Sequence, residues 1–402
     1  MGLTSYTFFD EEQSLRLASL ISSLKGEPPN GPFYESSKDL LEKEKFTEVL
    51  TQYAKESAVL VNVDTKDFES VFNLMIALIK DATASVIPQL VEFIVNPIVA
   101  SATDKALLKL RVLSNLYNNL ERANPSRFHV YQAIVSVAAK NGEVDVLVPT
   151  LSQLDGWLAE WNVNTDAKKR IYLALADVLG AHQDYKQLSY EQLLKYLSLF
   201  SATPESASSA KKYALRAVTE AIRIPAVLDF EDLVALYAVQ SLKKEDAPLY
   251  NLLNIFLNES LAQYQEFCDS HPGFIDSHGL DHEANMRKMR ILSLATLTSN
   301  NVQGEVSYDT IAKTLEIEEC DVEMWIIDVI RAGLIDAKMN QLQRVAVITR
   351  STHRVFGDAQ WRQLRDKLKA WRSNLADILT ILDTAKQHAG SIAETADEAV
   401  VN

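Results

Sequence analysis

Apolar residues recur at three- and four-residue spacing in one segment after another from residue 10 to residue 268, each segment closed by polar, Pro or Gly positions. That period belongs to helices burying one face. It predicts helices over 10–24, 38–61, 66–81, 104–121, 126–140, 146–161, 167–182, 190–200, 204–222, 229–239, 249–258 and 261–268. Punctuation residues agree. The run 26–32 (Gly-Glu-Pro-Pro-Asn-Gly-Pro) can be neither helix nor sheet. Asn124-Pro125 reads as an N-cap with proline at the first helical position, Asn141-Gly142 closes the same helix, and Thr203-Pro204 opens another. No strand signal longer than four residues precedes Leu334. Helices paired every ~35–45 residues predict a helical-repeat solenoid, each pair covering the apolar face of the next. No strict consensus selects between the tetratricopeptide and HEAT classes of repeat.

The pattern changes at Asn285. A helix over 286–297 carries Met286, Met289 and Leu292 on one side and Ile291, Leu294 and Leu297 on another, so both sides are expected to be buried. Asn300-Asn301 and Gly304 end it. Ser307 is a good N-cap for a short second helix with Ile311, Ala312 and Leu315. A third helix has Val322, Trp325, Ile326, Val329 and Ile330 on one stripe, with Gly333 where a C-cap glycine belongs. The runs 334–339 and 344–349 read as two strands around the polar turn Asn340-Gln341. Three helices and a β-hairpin in this order make a winged helix. The fold class is therefore mostly all-α: a helical-repeat solenoid, a winged helix with a small hairpin, and one long terminal helix.

That terminal helix starts near Asp358. Its apolar residues are Trp361, Leu364, Leu368, Trp371, Leu375, Ile378 and Leu382, alternating three and four apart as a heptad seam. Charged flanks (Arg362, Arg365, Asp366, Lys367, Lys369, Arg372 and Asp377) border it. So narrow and long a seam suits packing against other helices, and these seven residues are the candidate protein interface. The competing reading folds the helix back on the chain's own repeats, as ordinary surface helices do. Residues 389–402 read as a flexible tail.

Charge and composition narrow the functions. The net charge of −14 and a pI near 5.1 argue against an overall binder of nucleic acid or anionic membrane. A winged helix that enters a DNA groove needs Lys or Arg on its third helix to neutralise phosphates. Here Glu316, Glu318, Glu319, Asp321 and Glu323 crowd its start, and the first following cation is Arg331, so DNA binding is not expected. A basic run remains: Arg344, Arg350, His353, Arg354, Arg362, Arg365, Lys367, Lys369 and Arg372. Arg350, Arg354, Arg362 and Arg365 are the candidates for contact with RNA, against a solvated or ion-paired helix flank. Two cysteines, Cys268 and Cys320, imply no disulfide framework and fit a reducing compartment. Residues 1–10 carry no secretory signal, and Tyr6 sits where a myristoylation motif wants Ser or Thr. The most apolar stretch, 86–95, is interrupted by Pro88, Gln89 and Glu92 and falls short of the ~20 residues of a membrane span. The cytoplasm is the expected compartment, with no membrane partner.

Catalytic and cofactor chemistry find no support. Glycines number 12 in 402 residues. No phosphate-cradling GxxxxGK[ST] or GxGxxG run occurs, and no GxSxG elbow. Cys268, His271, His278 and His282 lie close in sequence, and the last two have the i, i+4 spacing of helical metal ligands. No CxxC or HExxH accompanies them, so a polar linking loop is expected rather than a metal site or a hydrolase. Trp157 and Trp161, four apart on one helix face, read as core. Catalytic, cofactor and metal residues are each assigned as none.

Helical repeats, a winged helix and a terminal helix in this order resemble the PCI-domain proteins, scaffold subunits of the proteasome lid, the COP9 signalosome and translation initiation factor 3. More narrowly, Asn285-Met286-Arg287-Lys288-Met289-Arg290-Ile291-Leu292 resembles the matching helix of the m-subunit family of eukaryotic translation initiation factor 3. So does Thr349-Arg350-Ser351-Thr352-His353-Arg354-Val355-Phe356-Gly357, continued by Gln360-Trp361, Leu364 and Leu368-Lys369-Ala370-Trp371. The resemblance implies helical repeats over 1–205, a PCI domain over 206–350 (helical 206–284, winged helix 285–350) and a bundling helix over 351–388. It also implies a scaffold without an active site, since the HxH pair of the metalloprotease partners in related complexes is absent. The implied partners are other PCI and MPN subunits of factor 3, and through them the 40S ribosomal subunit. A subunit of the signalosome or the proteasome lid is the alternative within the class. A nucleic-acid-binding winged helix is the alternative outside it.

Overall fold

The computed structural model describes residues 11–79, 85–101, 105–200, 204–299, 304–355 and 357–400, and side chains of the last helix as far as 386. Two compact units divide the chain, Met1–Tyr213 and Ala214–Asn402.

In the first unit the helices pack on their neighbours in the sequence. Pro32–Glu42 meets Phe46–Lys55, Ala106–Asn119 meets Ser126–Asn141, and Thr165–Gly180 meets Lys186–Ser198. Others reach the helix after next, as Thr65–Ile79 does with Ala106–Asn119 and Ile87–Ala100 with Ser126–Asn141, which is the packing order of a solenoid. Tyr53, Phe68, Phe72 and Tyr131 are wholly buried between them. Trp157 and Trp161 stack with ring centroids 6.0 Å apart beside Tyr117 and Tyr131. Trp161 is buried, and its indole N–H donates to the Arg122 carbonyl at 3.0 Å.

Several boundaries differ from the sequence reading, each for a local reason. The segment 38–61 is not one helix: Glu44 takes φ of 56° between Pro32–Glu42 and Phe46–Lys55, a left-handed turn made without glycine. The apolar stretch dismissed as a membrane span is itself a helix, Ile87–Ala100. Pro88 lies at its start, where no N–H is required, and Pro97 in its last turn. Only Leu154–Glu160 of the segment 146–161 is α-helix. The part before it forms the short 3-10 turns Val144–Val146 and Val148–Thr150, where Pro149 removes a donor. The segment 229–239 breaks at Leu236, whose extended backbone (ψ 128°) separates Glu231–Ala235 from Tyr237–Glu245. The expectations at residues 10, 80–81, 104, 203 and 300–301 lie outside the described residues.

The second unit contains the winged helix. Its helices are His282–Ser299, Tyr308–Leu315 and Val322–Arg331. Three strands follow the order β1 (Glu305–Ser307), β3 (Val345–Ser351), β2 (Ile335–Asn340), all antiparallel. The hairpin read from the sequence is thus completed by a third strand, too short to carry a period of its own. Leu294, Ile311, Leu315, Val322, Ile326, Val329, Ile335, Ala346 and Ile348 form the core. Ser307 accepts the Thr310 N–H at 3.3 Å, and Gly333 adopts φ of 74° after the third helix. Asp358–Val400 is a single helix of 43 residues, about 65 Å long. It passes residue 388, where the sequence reading placed its end and the start of a tail. The seam stops at Leu382, but Ala385, Ala389, Ala393, Ala396 and Ala399 keep helix propensity high beyond it.

Candidate protein-interaction site

The terminal helix leaves the winged helix through a pinned segment. Thr352 N–H donates to the Leu334 carbonyl at 2.8 Å, closing the end of β3. The half-buried Arg354 then turns its guanidinium inward. It donates to the carbonyls of Glu259 (2.8 Å), Ile255 (3.2 Å) and Phe256, and to Thr296 Oγ1 (3.3 Å). Three of these acceptors are carbonyls at the C-terminal end of Ala247–Asn258, which a cation suits electrostatically. Burial pulls the guanidinium pKa down to about 10. Gly357 N–H donates to Gln360 Oε1 at 3.1 Å, half of a capping box opening the helix.

Beyond Gly357 the helix stands in solvent. Trp361, Leu364, Leu368, Trp371, Leu375, Ile378 and Leu382 are all exposed, from 39% at Leu364 to 65% at Trp371. Leu379 and Ile381 are exposed as well. These two lie off the strict three-four spacing, so the seam did not include them. Nothing in the sequence pattern distinguishes a seam packed on its own chain from a bare one.

The basic run separates into two sets. Arg350 pairs across the sheet with Asp336 at 2.8 Å, and Arg344 with Glu319 at 3.1 Å. Arg354 is half-buried, with its guanidinium turned towards carbonyls of its own unit. Arg362 and Arg365 stay exposed on the terminal helix, Arg365 beside Asp366 at 3.0 Å.

The segment Asn285–Leu292 is an internal clamp. Lys288 is only 3% exposed, and its ammonium donates to the carbonyls of Ala221 (2.6 Å), Ile224 (2.8 Å) and Ile222 (3.3 Å). These close the C-terminal end of Pro204–Arg223. Burial lowers the Lys288 pKa to about 7. Arg290 Nε donates to the Leu315 carbonyl at 3.0 Å, capping the second helix, and Arg287 pairs with Asp328 at 2.7 Å. Sequence reasoning found the motif by resemblance but not its work, because the acceptors are main-chain carbonyls far along the chain.

The acids of the third helix have partners within the unit too. Glu323 accepts from Gln341 Nε2 at 2.7 Å and from Tyr308 Oη at 3.3 Å, and Glu316 from Gln265 Nε2 at 2.6 Å. The linker histidines are dispersed over different rings. His271 stacks on Phe267 (4.5 Å), His278 packs on Phe274 (4.3 Å) and His282 stacks on Tyr264 (5.7 Å). Cys268 Sγ approaches His282 Nδ1 at 3.8 Å, and burial raises the thiol pKa. Among the described residues no group of three or more His, Cys, Asp or Glu side chains is placed to hold a metal ion. No described helix is long and apolar enough to cross a membrane.

Two family models match this region. The PCI domain matches over 261–350, and a model described as eIF3 subunit M, C-terminal helix, matches over 354–382, the segment from the Arg354 pin to the last seam residue. Similarity to curated proteins runs almost the whole chain. Eukaryotic translation initiation factor 3 subunit M of Phaeosphaeria nodorum is 34% identical over 387 residues, 94% of this chain and 87% of that protein. The subunit M of Chaetomium globosum is 35% identical over 87% of this chain and 83% of its own length. That of Aspergillus oryzae is 35% identical over 85% and 75%. With a PCI winged helix, a matching terminal helix and this extent of identity, the chain belongs to the eukaryotic translation initiation factor 3 subunit M family.

Proposed function

We propose that the chain is a non-catalytic scaffold subunit of translation initiation factor 3, supporting initiation on the 40S ribosomal subunit in the cytoplasm. Its PCI domain meets the PCI domains of other subunits, and its terminal helix joins a helical bundle with PCI and MPN subunits. On this reading the working parts are the repeats 1–205, the PCI domain 206–350 and the bundling helix from 351.

The observation that carries the reading is the bare seam. Seven large apolar side chains, worth ~1.5–3 kcal/mol each when fully buried, face solvent on a helix that the rest of the unit leaves uncovered. Their burial would contribute a gross ~10–20 kcal/mol, an upper bound before ordering and association costs. Soluble monomers rarely expose so continuous an apolar strip. Around 375–382 the apolar face widens, since Leu379 and Ile381 join it, and a wide face suits a bundle better than a single partner helix. The edges of β1 and β2 leave backbone groups for contact with another sheet.

The test is co-purification of the tagged full chain with identification of its companions, beside a Leu368→Asp, Trp371→Asp double variant. The variant is expected to lose the other factor subunits while its circular dichroism and melting curve match the wild type. Normal recovery of the complex would remove the seam as the anchor. Global unfolding would place the helix in the chain's own core.

A further inference from the structure

The charges beside the seam carry information about what it binds. With Trp361 at heptad position a, the seam places Leu364, Trp371 and Ile378 at d. Positions e and g, which border a paired seam and meet the neighbouring helix, then hold Arg365, Lys367 and Arg372 along its first half. All three are exposed. The acids of this stretch sit elsewhere: Asp366 at f, Asp377 at c and Asp383 at b, while Asp358 precedes the seam. Arg365 touches Asp366 at 3.0 Å, but this is a solvent-exposed pair of adjacent residues and leaves the flank cationic.

A second copy of this helix is therefore a poor partner. In a parallel pair, Lys367 of one copy would oppose Arg372 of the other, twice over. In an antiparallel pair e meets e and g meets g, again cation against cation. Alignment in either direction is penalised. A helix with Asp or Glu at its own e and g positions is favoured in either direction by the same geometry.

We infer that the terminal helix is built to pair with heptad helices whose seams are flanked by acidic residues, and to reject a second copy of itself. This rests on the proposed reading of the seam as an interface and adds the chemistry of the partner. Opposite charges select the companion, and like charges keep the free chain from using its apolar seam on its own kind.

The probe is the full chain with its flank reversed by Arg365→Glu, Lys367→Glu and Arg372→Glu. Labelled wild type is sedimented with unlabelled wild type or with the reversed chain, at ~50 mM and ~500 mM salt. The mixed pair is expected to associate on the order of tenfold more tightly than either chain with itself at the lower salt. That gap should shrink at the higher salt. Wild type binding itself as tightly as it binds the reversed chain, or a gap that salt leaves unchanged, overturns the inference. A second arm co-purifies the factor with the reversed chain beside the Leu368→Asp, Trp371→Asp variant. Loss of both supports the inference. Loss of the apolar variant alone overturns the charge selection and leaves the seam as interface. Normal recovery of both removes the seam reading and the inference with it.

Discussion

Replacing Arg354 with Ala separates two roles for this residue, a contact for RNA and a clamp within the fold. Its guanidinium has four acceptors, three of them main-chain carbonyls at or just past the end of Ala247–Asn258. Hydrogen bonds to a charged group contribute ~1.5–3 kcal/mol each, so the gross loss is ~6–12 kcal/mol. Two effects offset it. Desolvation, visible as the fall of the guanidinium pKa to about 10, returns ~3 kcal/mol when the charge is removed. Water entering the space left by the side chain can also reach the carbonyls in the variant. A net destabilisation of ~2–4 kcal/mol is expected, with Arg354→Lys recovering only part, because one ammonium cannot reproduce the planar fork. Hydrogen exchange on the full chain reads this locally. Amides of Ala247–Asn258 and of the segment leading into the last helix should exchange roughly 30- to 1,000-fold faster, while affinity for RNA is unchanged. Unchanged exchange together with weakened RNA binding would refute the clamp.

Further outcomes follow from the same geometry. Lys288→Met keeps the aliphatic stem and orphans three carbonyls, costing ~1–3 kcal/mol at pH 7. The folded pKa of about 7 lies below the ordinary 10.5. Between these values the unfolded chain holds the extra proton, so wild-type stability gains up to ~1.4 kcal/mol per pH unit as pH rises above 7. The wild-type advantage over Lys288→Met should therefore widen from pH 7 to pH 9 in urea unfolding, and a constant gap would mean the carbonyls keep the ammonium charged. Leu379→Asp with Ile381→Asp is expected to weaken co-purification of the factor as Leu368→Asp with Trp371→Asp does, and full recovery would limit the bundle contact to the strict seam. The full chain should bind duplex DNA no better than a neutral protein of similar size in a filter assay at moderate salt. Tight, salt-sensitive binding that Arg344→Glu abolishes would count against that.

Much of this molecule is determined by local pattern. The three-four period placed most helices, Ser307 and Gly333 marked winged-helix boundaries, and the heptad seam was complete from Trp361 to Leu382. These features depend on neighbours within a turn or two, so the linear order of residues contains their cause. Breaks made without Gly or Pro were not legible: Glu44 turns left-handed and Leu236 extends, and neither residue type announces a break. The helix Ile87–Ala100 was hidden by two prolines, Pro88 at its start, where no donor is needed, and Pro97 inside it, where one is lost.

The partners of charged side chains were equally hidden. Sequence treats Arg350, Arg354, Arg362 and Arg365 alike as one basic run. Tertiary structure separates them, giving Arg350 to Asp336 and Arg354 to carbonyls some 95 residues away, and leaving Arg362 and Arg365 in solvent. It likewise turns Lys288 and Arg290 into caps for helix ends. A main-chain carbonyl leaves no trace in residue type, so no pattern announces such an acceptor. The seam's exposure was decided at the same level. An apolar stripe states that a helix has a face to bury. Whether the chain itself supplies the cover depends on how far its other elements reach, and here the described residues leave that face to solvent.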